Sequence, residues 1–207
     1  MIDTLQYITQ GNSPQDHIDN LFKACNYGIK WVQLRVKNTD DATVLNTAIK
    51  AREITNEYGV KLIINDHYKI AKEVQADGVH LGKTDACPLL AREYLGNDFI
   101  IGGTANTLED CRVLLEKKVD YIGLGPYQFT ETKKNLSPVL GVKGYRDILK
   151  ELKTKTPIIA IGGIALNDVA AILKTGVYGI AVSGVITSNM SSIKEFQDIL
   201  KATYLSE

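Results

Sequence analysis

A chain of 207 residues with 44% apolar side chains is long enough to bury a sizeable core and too apolar for disorder. Its 24 basic and 24 acidic residues balance, which excludes the basic surplus expected of a nucleic-acid or anionic-membrane binder. Three scattered cysteines, Cys25, Cys87 and Cys111, form no CxxC pair, so a disulfide framework or zinc cluster is excluded and a reducing cytoplasm is expected.

The opening MIDTLQYITQG lacks the basic and long apolar segments of an export signal, and no run approaches the roughly 18 apolar residues that span a bilayer. A first strand is expected over 5–9 (LQYIT), followed by the turn TQGNSP, which does not fit a G-x-G-x-x-G nucleotide loop. WVQLRV (31–36) predicts the second strand. Its alternation puts Gln33, Arg35 and Lys37 on one face and Val32, Leu34 and Val36 on the other. A helix follows, with Thr39 or Asp40 as its cap and Gly59 as its stop. KLIIND (61–66) predicts the third strand, with Asn65 and Asp66 at its exit; GVHLG (78–82) predicts the fourth, with Asp85 just beyond. His80 on that strand is expected to be packed and hydrogen-bonded rather than catalytic. FIIGGT (99–104) predicts the fifth strand, ending at Thr104, and Thr107-Leu-Glu-Asp then opens a capped helix. YIGLGP (121–126) predicts the sixth strand and leads into GPYQFTETKKN, a loop rich in hydroxyls and charge through Thr130, Thr132, Lys133 and Lys134. PIIAIG (157–162) and GIAVSG (179–184) predict the last two strands. They deliver Gly162, Gly163, Ser183 and Gly184 to the starts of helical segments, the first of which stops at Gly176.

Eight strands alternating with helices predict a single-domain (β/α)8 TIM barrel over 1–207; an open doubly wound sheet is the runner-up. In such a barrel, ligands bind in the loops at the C-terminal ends of the strands. The aliphatic face of the second strand must pack on helices, so Gln33, Arg35 and Lys37 point inward, into either an internal salt-bridge network or an anion site. Asp66 and Asp85, on neighbouring strand ends, read either as turn or cap residues or as the carboxylates of a Mg²⁺–phosphate site. The glycine turns after the last two strands favour an anion near backbone N–H groups. Two phosphorylated ligands in one mouth is the inference. No Ser/His/Asp or Cys/His arrangement is legible.

VQLRVK, IIND, DGVHLG, Asp85, GLGP followed by TETK, AIGGI and VSGVI together resemble, in order and spacing, the thiamine phosphate synthase family over essentially the whole chain. The resemblance implies a Mg²⁺-dependent transferase that joins hydroxymethylpyrimidine diphosphate to thiazole phosphate and releases pyrophosphate. It implies that Gln33 binds the pyrimidine, with Thr104 beside it, and that Arg35, Lys37 and Asn65 bind the diphosphate. Asp66 and Asp85 would hold the metal. Thr130, Thr132, Gly163, Val182 and Ser183 would bind the thiazole phosphate, and Lys133 would reach the pyrophosphate. Arg35, Lys37, Lys133 and Thr104 form the implied catalytic set. Val36, Glu131, Asn106 and His67 depart from the family pattern, with Asn106 where a histidine is common. The alternatives are a thiazole tautomerase and a non-catalytic thiazole phosphate sensor. The partners implied are small molecules, with no nucleic acid or membrane, and the sequence does not distinguish monomer from homo-oligomer.

Overall fold

Eight short parallel strands lie side by side in chain order and close on themselves: β1 (Leu5–Ile8), β2 (Trp31–Leu34), β3 (Lys61–Asn65), β4 (Gly78–Leu81), β5 (Ile100–Ala105), β6 (Tyr121–Leu124), β7 (Ile158–Ile161) and β8 (Gly179–Val182). The computed structural model describes residues 2–129 and 138–204. Helices α1 (Pro14–Asn26), α2 (Asp41–Tyr58), α3 (Tyr68–Glu73), α4 (Pro88–Leu95), α5 (Leu108–Glu116) and α6 (Gly141–Leu152) return the chain after the first six strands. After β7 comes α7 (Val169–Leu173), and after β8 come α8 (Gly184–Ser188) and α9 (Ser192–Tyr204). This is the (β/α)8 barrel, and closure leaves no strand edge unpaired.

Local chemistry sets the helix starts. Ser13 and Asp16 form a capping box on α1 with Pro14 in its first turn; Thr107 and Asp110 form another on α5. Asp40, the second of the two expected caps, accepts from the Thr43 amide at the start of α2, and Gly59 ends that helix at φ 63°. The helix expected to run from Ala165 to Gly176 instead splits into a 3₁₀ turn at Leu166–Asp168 and the five-residue α7. Strands β2 and β6 end two residues earlier than their apolar runs suggest, at Leu34 and Leu124. In β6 the cause is Pro126, which has no N–H to continue the ladder after the Gly125 amide reaches Ala105.

Strand alternation divides the core in two. Val32, Leu34, Leu62, Ile64, Val79 and Leu81 face outward into the layer shared with the helices, and Val36 is buried there too, as parity requires. Trp31, Ile63, Tyr121, Ile159 and Ala181 face inward and plug the barrel. Trp31 meets Tyr121 edge-on at 5.0 Å. Gly102 makes this possible, because a Cβ there would lie 2.1 Å from Tyr121 Cζ. Tyr121 is fully buried and cannot step aside. Gly102→Ala is therefore expected to lower unfolding free energy by about 1–3 kcal/mol in urea titrations, through overpacking; an unchanged midpoint would show that the plug can shift.

Candidate active site

Above the Trp31–Tyr121 plug, a cavity of about 530 Å³ opens at the C-terminal ends of the strands. Its floor is a polar layer. Gln33 Nε2 donates to Gln6 Oε1 at 3.2 Å. His80 Nδ1 lies 3.0 Å from the Tyr121 hydroxyl, and its Nε2 lies 2.9 Å from Thr104 Oγ1. Burial raises the Tyr121 phenol above its usual range, with Gln6 offsetting this in part, so the hydroxyl stays protonated. His80 is thus packed and bonded at both nitrogens, as expected for a structural histidine. It also fixes the Thr104 hydroxyl that lines the cavity.

The anion-suited wall comes from β2 to β4. Gln33, Arg35, Lys37, Asn65, Asp66 and Asp85 all line the cavity. Asn65 is buried at the edge of the cavity, and its Nδ2 has no partner among the described residues. Asp66 adopts a left-handed backbone at φ 65° while its N–H still reaches the His80 carbonyl at 2.8 Å. Strained backbone of this kind concentrates at functional sites, and it turns the Asp66 carboxylate onto Lys37 Nζ at 2.6 Å. The Gly82 amide donates to Asp85 Oδ2 at 2.6 Å. Burial depresses the pKa of Arg35, Asp66 partly offsets this, and a guanidinium remains charged despite such a shift.

The two carboxyls, Asp66 and Asp85, sit within hydrogen-bonding reach of one another. Burial raises Asp66, but the Asp85 carboxyl and the Lys37 ammonium outweigh it and hold Asp66 below the usual carboxylate range. Burial and the Asp66 carboxylate push Asp85 above that range, against the Gly82 amide and Lys37. One proton shared by two such groups marks a place where a cation can replace it. Among the described residues no third acidic, imidazole or thiol group joins them. An oxygen-only pair of this kind suits a hard divalent ion that keeps water and substrate oxygens in its shell. In cation-free buffer, the stability linked to the raised pKa of Asp85 is present at low pH. It is lost as pH climbs through the raised folded-state value. The depressed pKa of Asp66 works the other way, its stabilisation being lost as pH falls below that range. Asp85→Asn should therefore remove the decline on the alkaline side in pH-dependent urea titrations; a wild-type slope in that variant would contradict the shared proton.

The opposite wall is made by glycine turns. Gly162 and Gly163 follow β7 with φ of 90° and 71°, and Gly163 and Ser183 line the cavity. Val182 also borders it, but its side chain belongs to the outer core, so only its main chain faces a ligand. Residues just after β6 are tied to this wall: the Tyr127 and Gln128 amides donate to the Ile161 and Gly162 carbonyls at 2.8 and 3.0 Å. A Cβ on Gly162 would stand 2.7 Å from Pro126 Cβ. Thr130, Thr132 and Lys133, together with Glu131, lie outside the described residues.

Among the polar lining residues, sequence reasoning did not single out Gln6, Tyr121, Lys83 or Thr84. Gln6 is polar in an apolar run, and parity with Ile8 could have turned it inward. Asn106 donates its side-chain amide to the Gly125 carbonyl, tying the β5 exit to the β6 exit; no local pattern signals that contact. Lys83 pairs with Asp110 at 2.5 Å, while His67 turns away to Asp41 at 3.3 Å.

The fold and this mouth define a (β/α)8 barrel whose polar, anion-suited cavity sits at the C-terminal ends of its strands. The thiamine monophosphate synthase family model matches residues 5–186. Over 192 residues the chain is 48% identical to thiamine-phosphate synthase of Flavobacterium psychrophilum, covering 91% of this chain and 93% of that protein. It is 44% identical over 199 residues to thiamine-phosphate synthase of Phocaeicola vulgatus, covering 95% and 96%. A solved thiamine phosphate pyrophosphorylase from Pyrococcus furiosus matches with a TM-score of 0.82 at 29% identity, covering 97% of this chain and 96% of that one. The chain belongs to the thiamine monophosphate synthase family.

Proposed function

We infer that this enzyme couples 4-amino-5-hydroxymethyl-2-methylpyrimidine diphosphate with thiazole phosphate, giving thiamine phosphate and pyrophosphate. The observation that carries the reading is the assembly of Arg35, Lys37, Asp66 and Asp85 on one wall of a cavity whose other wall is glycine turns. One wall suits a diphosphate with a cation, the other a single phosphate. Gln33, in the floor layer with His80 and Thr104, supplies hydrogen bonds for a flat heteroaromatic ring.

In the proposed reaction the C–O bond to the diphosphate breaks first. Its electron pair leaves with pyrophosphate, and the aminopyrimidine delocalises the methylene cation left behind. The thiazole nitrogen then donates its lone pair to that carbon. No proton has to be abstracted, which suits a site whose histidine is occupied in the floor. Arg35, Lys37 and the Asn65 amide bind the departing phosphate oxygens, and Lys133 is assigned to the same task. Asp66 and Asp85 would hold Mg²⁺, which when bound neutralises charge developing on the leaving group. The glycine turn at Gly163, the Val182 main chain and Ser183 hold the thiazole phosphate, with Thr130 and Thr132 assigned beside them, so that the nitrogen attacks from a fixed position. The expected location is the cytoplasm, and among the described residues no helix is long and apolar enough to cross a membrane.

The tautomerase reading gains nothing from the site. Where a proton-transferring histidine would stand, Asn106 offers an amide already donated to Gly125. A chromatographic assay separates the readings. Both substrates together should yield thiamine phosphate, and thiazole phosphate alone should come back unchanged. Isomerised thiazole phosphate, with no coupled product, would refute the transferase.

A further inference from the structure

Behind Arg35 lies a buried polar pair that the reaction does not use. The β1–β2 ladder makes its last backbone bond when the Thr9 amide donates to the Gln33 carbonyl at 2.9 Å. One step further, the Arg35 amide donates to the Thr9 hydroxyl oxygen at 3.1 Å, so a side chain stands in for the next strand carbonyl. The same oxygen lies 2.8 Å from His17 Nδ1. Thr9 is 2% exposed and His17 6%. His17 sits in the first turn of α1, and that turn is locked by Ser13 and by Asp16, which accepts from the Asn12 and Ser13 amides. Burial lowers the pKa of His17, Asp16 opposes this and Arg35 reinforces it, leaving a neutral ring able to accept as well as donate. The start of α1 is thereby coupled through two side chains to the peptide that carries Arg35.

We propose that Thr9, braced by His17, is a positioning residue that sets the Arg35 guanidinium for the pyrophosphate group. The proposal rests on the reading of Arg35 given above. A guanidinium clamp works only if its backbone is held as firmly as its head, because displacements near 1 Å at a reacting centre are expensive. Arg35 stands beyond the last regular strand residue, Leu34, where ladder bonds no longer hold it. Thr9 extends that support by one residue on the side facing away from the ligand.

The test titrates inorganic pyrophosphate with Mg²⁺, and separately thiazole phosphate, against the whole protein by calorimetry. Thr9→Val keeps the side-chain volume and deletes the acceptor. It should weaken pyrophosphate binding about tenfold, as expected when a buried N–H loses its partner, and leave thiazole phosphate binding unchanged. Thr9→Ser should restore wild-type affinity. His17→Phe keeps a ring without nitrogens and should weaken pyrophosphate binding selectively, by a smaller factor. Wild-type affinity in Thr9→Val, equal loss of both ligands, or failure of serine to rescue would overturn the proposal. Should Thr9→Val not fold, His17→Phe decides by the same selectivity. Arg35→Ala separates the two levels: if it too binds pyrophosphate normally, the functional reading of Arg35 is at fault. If Arg35→Ala loses affinity and Thr9→Val does not, only the positioning role fails.

Discussion

Asp66→Asn is expected to lower turnover about a thousandfold, roughly 4 kcal/mol of transition-state stabilisation, with little change in unfolding free energy. Asparagine keeps the shape and tolerates the left-handed backbone that Asp66 adopts at φ 65°, so the backbone contributes little to the loss. What disappears is the charge that shares a proton with Asp85 and pairs with Lys37. That ion pair is partly exposed, and its own contribution to stability is small. Steady-state kinetics alongside urea titration checks both halves. Retained turnover would remove Asp66 from the cation site, whereas lost turnover with a collapsed fold would make it structural.

Trp31→Ala is expected to destabilise the barrel by about 3–5 kcal/mol, a large share of the 5–15 kcal/mol that a domain commands. Trp31 is fully buried at the plug, and its indole N–H has no partner among the described residues, so the loss comes from packing and not from a broken hydrogen bond. The void would lie against Tyr121, whose hydroxyl orients His80, which in turn orients Thr104. The same substitution should therefore also weaken pyrimidine diphosphate binding, although the indole lies below the cavity floor. Trp31 is the single tryptophan, so the variant must be followed by circular dichroism rather than indole fluorescence. A loss well under 2 kcal/mol would mean that the plug collapses to fill the void.

The barrel was legible because each strand carries its own signal. The inward turn of Gln33 and Arg35 followed from parity alone, since Val32, Leu34 and Val36 had to face the helices. Asp66 and Asp85 were legible because one closes the apolar run of β3 and the other stands just beyond the run of β4, the next strand. The left-handed bend at Asp66 was not, since it depends on how the chain leaves β3 for α3. Tyr121 read as one more aromatic strand residue; its role depends on Gly102, on the neighbouring strand, lacking a side chain. The Asn106–Gly125 and Thr9–His17–Arg35 contacts join residues from different units of the barrel, and periodicity within one unit carries no trace of them. The early ends of β2 and β6 have a different origin: the strand-like sequence runs on past the last ladder bond, which in β6 is stopped by Pro126.

The central claim is that one wall of the mouth stabilises a leaving pyrophosphate while the other presents the second substrate. The most direct measurement is pyrophosphate release by the purified protein, with both substrates and with each alone, in Mg²⁺ and in EDTA. The account predicts release only when both substrates and Mg²⁺ are present, matched mole for mole by thiamine phosphate. Pyrophosphate released without a coupled product, or coupling that proceeds unchanged in EDTA, would contradict it.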